Sequence, residues 1–170
     1  VKIKKINKVI VVNNPKYLNP LAENISPILI SLSDNYSHIL TAASTFGKNI
    51  MPRVAALLDV SQLSDIIKIE SDDTFIRPIY AGNALATVQS FDKIKIITVR
   101  PTSFDPIISE DGEAEVENLD FRNDDNKVEF IDRQENKSDR PELGTARVVI
   151  SGGRGLGSAE NFTLLNQIAD

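Results

Sequence analysis

The 170-residue chain has no cysteine, which excludes disulfides, a thiol nucleophile and a cysteine-ligated metal. It has a single histidine, His38. One imidazole counts against a histidine-rich metal centre and against a serine–histidine triad with a spare base. No apolar run approaches the roughly 20 residues of a membrane-spanning helix, and no signal-peptide pattern is visible. The formal net charge is -5, which argues against general nucleic-acid binding. What is present is a hydrophobic content of 41%, enough for a real core. The length predicts one domain, or one domain plus a piece of another.

The charge is unevenly placed. Between Asp105 and Glu142 there are 14 acidic and 5 basic residues, whereas the remaining sequence holds 10 acidic and 14 basic ones. Few large apolar residues interrupt the acidic stretch, so it reads as a solvated, mobile linker over about 105–127. Alternation in Lys127–Ile131 predicts one short strand near its end.

Taken in order, Lys8–Val12 reads as a parallel strand covered on both faces. Asn13-Asn14-Pro15 is a turn. Leu21, Ile25, Ile28, Leu29 and Leu32 have helical spacing, with Pro27 expected to kink the helix or delay its start. His38–Ala42 is the next strand, and His38 reads as a boundary residue that satisfies backbone groups. Ser44 or Thr45 can cap a second helix carrying Ile50, Val54, Leu57 and Leu58, with Pro52 acceptable in its first turn. Lys48 and Arg53 near that helix start oppose its dipole and face solvent, a partner or an anion. Four short β-like runs follow, over 65–69, 74–79, 84–89 and 94–99. Gly82-Asn83 predicts an antiparallel hairpin, and Pro78 puts its strand at an edge or bulge. The adjacent carboxylates Asp72-Asp73 and Asp124-Asp125 point to opposite faces of an extended chain, so neither pair makes a shared acid–base site. Arg77, Arg100 and Arg147 are suited to surface pairing or to phosphate.

The most distinctive stretch is Arg147–Phe162. An apolar run, Arg147–Ile150, predicts a buried strand. The turn Gly152-Gly153-Arg154-Gly155 follows, and Ser158 is placed to cap a helix with Glu160 in its first turn and Leu164, Leu165 and Ile168 as its stripe. Strand, glycine turn and helix together present backbone N–H groups to a phosphate. The glycine spacing departs from the dinucleotide fingerprint at Ser158, and no P-loop lysine is present. By pattern alone the stretch fits either a phosphate-binding turn or an ordinary strand-to-helix turn.

Val149–Gly155 with Glu160-Asn161-Phe162 resembles the start of the cofactor domain of electron-transfer flavoprotein alpha subunits. Further blocks resemble that family in the same order: Thr45–Asn49 with Pro52–Ala56, Tyr80–Ala84 with Ala86–Val88, and Lys137–Leu143. The resemblance implies an α/β fold. It would comprise a partial parallel sheet with flanking helices and antiparallel additions, then the first strand–helix unit of a doubly wound FAD domain. It implies a fragment, with an N-terminal domain over 1–143 lacking its first strands and a truncated FAD-binding domain over 144–170. It also implies an electron carrier with no catalytic side chain of its own. FAD would sit in a heterodimer with a beta subunit, passing electrons from acyl-CoA and related dehydrogenases, as in fatty acid oxidation, to a membrane quinone oxidoreductase. The cofactor-binding residues carried over are Arg154 with Gly152, Gly153 and Gly155, and no metal is implied. This chain would be mainly scaffold and subunit interface, and alone it would not retain FAD. The implied location is the bacterial cytoplasm or mitochondrial matrix, with no nucleic-acid partner and no membrane insertion. Two other classes remain open on the residues: a self-contained nucleotide-binding α/β enzyme or sensor domain, and a non-catalytic scaffold that docks a partner through the hairpin.

Overall fold

A computed structural model describes residues 3–107, 112–122, 128–134, 141, 143 and 146–170. The chain divides into two units, Val1–Phe130 and Ile131–Asp170. The first unit runs β1 (Lys8–Val11), α1 (Ala22–Leu32), β2 (His38–Ala42), α2 (Thr45–Leu57), β3 (Gln62–Ile66), β4 (Lys68–Ile69), β5 (Thr74–Ile79), β6 (Ala84–Gln89), β7 (Lys95–Val99) and β8 (Glu115–Asn118). Strands β2, β7 and β3 form a parallel sheet with β7 in the middle. Strands β4, β5 and β6 form an antiparallel sheet, and β1 pairs in parallel with β8. The fold is α/β with both parallel and antiparallel sheets, as expected.

Strand β7 shows why these layers assemble. Ile96 and Ile97 are both fully buried, and successive strand side chains point to opposite faces. Ile96 joins Ile50, Met51, Val54 and Ala55 of α2 and Ala22 of α1. Ile97 joins Leu63 and Ile66 of β3 and Phe75 of β5. The parallel sheet is therefore covered by helices on one face and by β5 of the antiparallel sheet on the other. Each of these large side chains contributes roughly 1.5–3 kcal/mol by leaving water. Helix α2 comes close at its start. A Cβ on Gly47 would lie 2.1 Å from the Ala42 carbonyl oxygen and 2.7 Å from Thr41 Cγ2.

Several local expectations change. Strand β1 is not doubly covered: among the described residues it has one partner strand, Lys8 is exposed and Val11 is 36% exposed. That partner comes from the acidic stretch, which holds a strand where a solvated linker is expected. Val9 pairs with Val116, and Lys8 Nζ donates to Glu117 Oε2 at 2.7 Å. Opposite charges and a β-branched pair offset the composition that otherwise favours solvation. The hydrogen bond and charge of Glu117, helped by Glu115, raise the Lys8 pKa. No strand forms over Val128–Ile131, where Val128 is 41% and Ile131 92% exposed. Lys127 and the Asp124-Asp125 pair lie outside the described residues.

The prolines also differ. Helix α1 starts at Ala22 and contains Pro27, so its start is not delayed. The carbonyl freed by Pro27, that of Glu23, sits in the first turn. Pro52 lies in the interior of α2 and not in its first turn. Packing of Met51, Val54 and Ala55 offsets the lost hydrogen bond. Leu57, expected in the apolar stripe, is 56% exposed. The antiparallel hairpin forms, and its connection Tyr80-Ala81-Gly82 has positive φ at all three residues. Strand β5 is the middle strand, but β4 pairs only with Phe75 and Ile76, so Pro78 lies past the end of β4 with one open side.

Candidate functional site

The glycine turn lies in the unit Ile131–Asp170, which holds α3 (Thr163–Ala169). The apolar run before the turn is not a strand: Val148 is 71% and Val149 53% exposed. A strand is made by its ladder partners, and none is present among the described residues of this unit. Ser158 does not cap α3 either. Its hydroxyl donates to Glu160 Oε2 at 3.1 Å, a 3-10 turn at Glu160–Phe162 intervenes, and α3 has no side-chain cap.

The turn itself is built tightly. Arg154–Leu156 is one 3-10 turn, closed by Leu156 N–H to Gly153 O at 3.0 Å and Gly157 N–H to Arg154 O at 3.1 Å. Gly157 exits at φ 77, a left-handed conformation that favours glycine. The Asn161 side-chain amide donates to the Leu156 carbonyl and ties the turn to the segment leading into α3. In the sequence Asn161 stands out only as part of a motif; the signal for its role is a short amide following a glycine turn.

The predicted site residues separate by environment. A Cβ on Gly152 would stand 2.4 Å from Leu156 Cδ1 and 2.6 Å from Leu165 Cδ1, so Gly152 admits side chains of its own unit. Gly153 and Gly155 have nothing within 4 Å on that side. Arg154 is exposed, and its guanidinium has no partner among the described residues. The backbone N–H groups of Arg154 and Gly155 are also without acceptors among them. An open pocket of about 470 Å³ adjoins the turn, lined by Gly155, Leu156, Glu160, Asn161, Thr163, Leu164 and Gln167; Arg154 is not in its lining. Two free amides, an unpaired guanidinium and two glycines that leave the backbone bare can hold an anionic or carbonyl-bearing group. The described residues thus fit a phosphate- or flavin-type ligand at the level of donors. Lys137–Arg140 and Glu142 lie outside the described residues.

His38, Asp73 and Asp65 of the first unit are held by structural contacts. His38 Nε2 is 2.6 Å from the Asp72 carbonyl oxygen, and Nδ1 is 2.8 Å from Ser37 Oγ. This is the boundary role expected of it. Asp73 accepts from Gln89, Thr74 and Ser71, which pull its pKa down to about 2. Asp65 accepts from Arg100 Nε at 3.2 Å and from Nη2 in a closer contact. That hydrogen bonding, with the charge of Arg100, lowers the Asp65 carboxyl. Among the described residues no group of three or more histidine, cysteine, aspartate or glutamate side chains is placed to hold a metal. No described helix is long and apolar enough to cross a membrane.

Known proteins resemble the chain over most of its length. Residues 2–123 match the family described as electron transfer flavoprotein domain. The chain is 50% identical over 169 residues to the electron transfer flavoprotein subunit alpha of Pseudomonas aeruginosa, covering 99% of this chain and 55% of that one. It is 46% identical over 169 residues to the subunit alpha of Paracoccus denitrificans, covering 99% and 54%. It is 44% identical over 184 residues to the mitochondrial subunit alpha of Dictyostelium discoideum, covering 99% and 52%. The chain spans about half the length of the curated relatives it matches. Matched by the domain family along most of its length and by alpha subunits almost end to end, the chain belongs to the electron transfer flavoprotein family.

Proposed function

We propose that this chain works as part of an electron transfer flavoprotein alpha subunit, an electron carrier that pairs with a beta subunit around one FAD. The observation that carries the reading is the match of alpha subunits to 99% of the chain. Electrons come from acyl-CoA and related dehydrogenases and leave to a membrane quinone oxidoreductase. The protein works in the bacterial cytoplasm or the mitochondrial matrix; relatives occur in bacteria and in mitochondria.

In this reading 1–143 is the N-terminal α/β domain, serving as scaffold and subunit interface. Residues 144–170 belong to the FAD-binding domain. FAD, when bound, supplies the redox chemistry. Gly153 and Gly155 keep the backbone bare for close approach, and the free N–H groups of Arg154 and Gly155 are donors toward the cofactor. The Arg154 fork pairs with an anionic or carbonyl group and stabilises the reduced, more negative form. Gly152 keeps Leu156 and Leu165 packed beneath the turn.

The test is reconstitution of a complete alpha subunit carrying this sequence with its beta subunit. A yellow heterodimer that an acyl-CoA dehydrogenase reduces is the expected result. A heterodimer without flavin, or with flavin that no such dehydrogenase reduces, contradicts the proposal.

A further inference from the structure

Three cations from three different elements gather at the C-terminal edge of the parallel sheet, all within the unit Val1–Phe130. Arg100 immediately follows β7, and its backbone N–H donates to Ile66 O at 2.9 Å. Lys48 lies in the first turn of α2. That turn is brought to the same edge by Ala43 N–H donating to Val99 O at 2.7 Å. Arg77 lies on β5 on the face of Phe75, which packs on Ile66; Ile67 N–H donating to Ile76 O at 2.8 Å sets β5 beside the end of β3. One carboxylate of the same unit, Asp65, bonds to Arg100 and is lowered by it, with smaller contributions from the charges of Lys48 and Arg77.

The balance of charge and bonding there is lopsided. Asp65 is held by Arg100 through two nitrogens. Among the described residues no hydrogen bond or ion pair is made by the side chains of Lys48 or Arg77. Arg77 Nε is buried without an acceptor, so the guanidinium is fixed by packing and not by a counter-charge. Lys48 stands in the first turn of a 13-residue helix, the end at which a cation is disfavoured. Two unpaired cations, one of them packed in place, are pre-organised for an anion. The carboxyl ends of parallel strands are also where open α/β sheets take their ligands.

We infer that Lys48, Arg77 and Arg100 form a binding site for a phosphate-sized oxyanion at the C-terminal edge of β2, β7 and β3. Arg77 and Lys48 make the direct charge-assisted contacts. Arg100 stays engaged with Asp65 and supplies background charge.

The probe is inorganic phosphate, titrated calorimetrically into the 170-residue chain at ionic strength held constant with sodium chloride. Saturable binding is expected. Losing a charge-assisted contact costs roughly tenfold or more in affinity. Arg77→Gln and Lys48→Gln should each show that loss, whereas Lys93→Gln, an exposed lysine on another loop, should bind as the parent does. Arg77→Lys retains charge and should lie between the parent and Arg77→Gln. If the parent shows no saturation, the site is refuted without any variant. Unchanged affinity in Lys48→Gln/Arg77→Gln would also refute it, as would an equal response to chloride alone. None of these outcomes bears on the flavin reading, which rests on other residues.

Discussion

Gly47 is pressed against Ala42: a Cβ on Gly47 would lie 2.1 Å from the Ala42 carbonyl oxygen. The obstacle is backbone, so it cannot rotate away. Gly47→Ala must therefore push the start of α2 off the end of β2. Overpacking of this kind costs typically 1–3 kcal/mol. Gly153→Ala meets nothing within 4 Å and should leave thermal unfolding close to the parent's. Melting both variants checks this, and equal destabilisation would contradict the packing described.

Stability should fall at acid pH through Asp73 and Asp65. Asp73 is pulled from the ordinary 3.8 to about 2 by three donors. A lowered folded pKa means that the contribution is complete above 3.8 and is lost as pH falls toward 2. Asp65 is shifted the same way by Arg100. Asp73→Asn should therefore melt lower than the parent at pH 7, with the gap closing between pH 4 and pH 2. A gap independent of pH would show that the hydrogen bonds do not act through the ionised carboxylate.

Hydrogen exchange tests the pairing of the acidic stretch. Glu115 N–H donates to Asn7 O at 3.1 Å and Leu119 N–H to Val11 O at 2.9 Å, closing β8 onto β1. These amides should exchange more slowly than those of 112–114, which belong to no strand. Equal, fast exchange across 112–119 would return the stretch to a solvated linker.

Legibility in the sequence followed the range of the interactions. Ser44 caps α2, accepting from Gly47 N–H at 3.3 Å, and the hairpin forms through a short connection, Tyr80–Asn83, that includes Gly82-Asn83, because capping and turn chemistry act over a few residues. Strand β8 was hidden because its partner Val9 is far away in sequence and its own composition is acidic. Arg147–Ile150 has the apolar pattern of a strand, yet a strand exists only beside another. Pro27 and Pro52 sit inside helices because packing against the sheet outweighs a local preference. At the candidate site the glycine spacing marked the turn. The Asp65–Arg100 pair, 35 residues apart, left no local trace. It depends on the register shift between Leu63 and Ile66, which puts Asp65 at φ 58.

Alone, the 170-residue chain should not retain FAD. The described residues around the turn offer donors and an open pocket, but they do not enclose a ligand of that size. Purified chain should lack the flavin band near about 450 nm that the free cofactor shows. Stoichiometric absorbance there would contradict this.

The most direct test of the flavin reading is Arg154. In the complete alpha subunit with its beta partner, FAD affinity and flavin reduction potential are measured for Arg154→Lys and Arg154→Ala, beside thermal unfolding of the present chain. Arg154 is exposed and unpaired among the described residues, so unfolding should not change. Lysine keeps the charge and loses the fork, so even Arg154→Lys should weaken binding. A lost charge-assisted contact is worth about 1.5–3 kcal/mol, or roughly ten- to a hundredfold in affinity, and the potential should move to more negative values. Wild-type affinity and potential in both variants would contradict the flavin role. A drop in melting temperature alone would make Arg154 a structural residue of an ordinary turn.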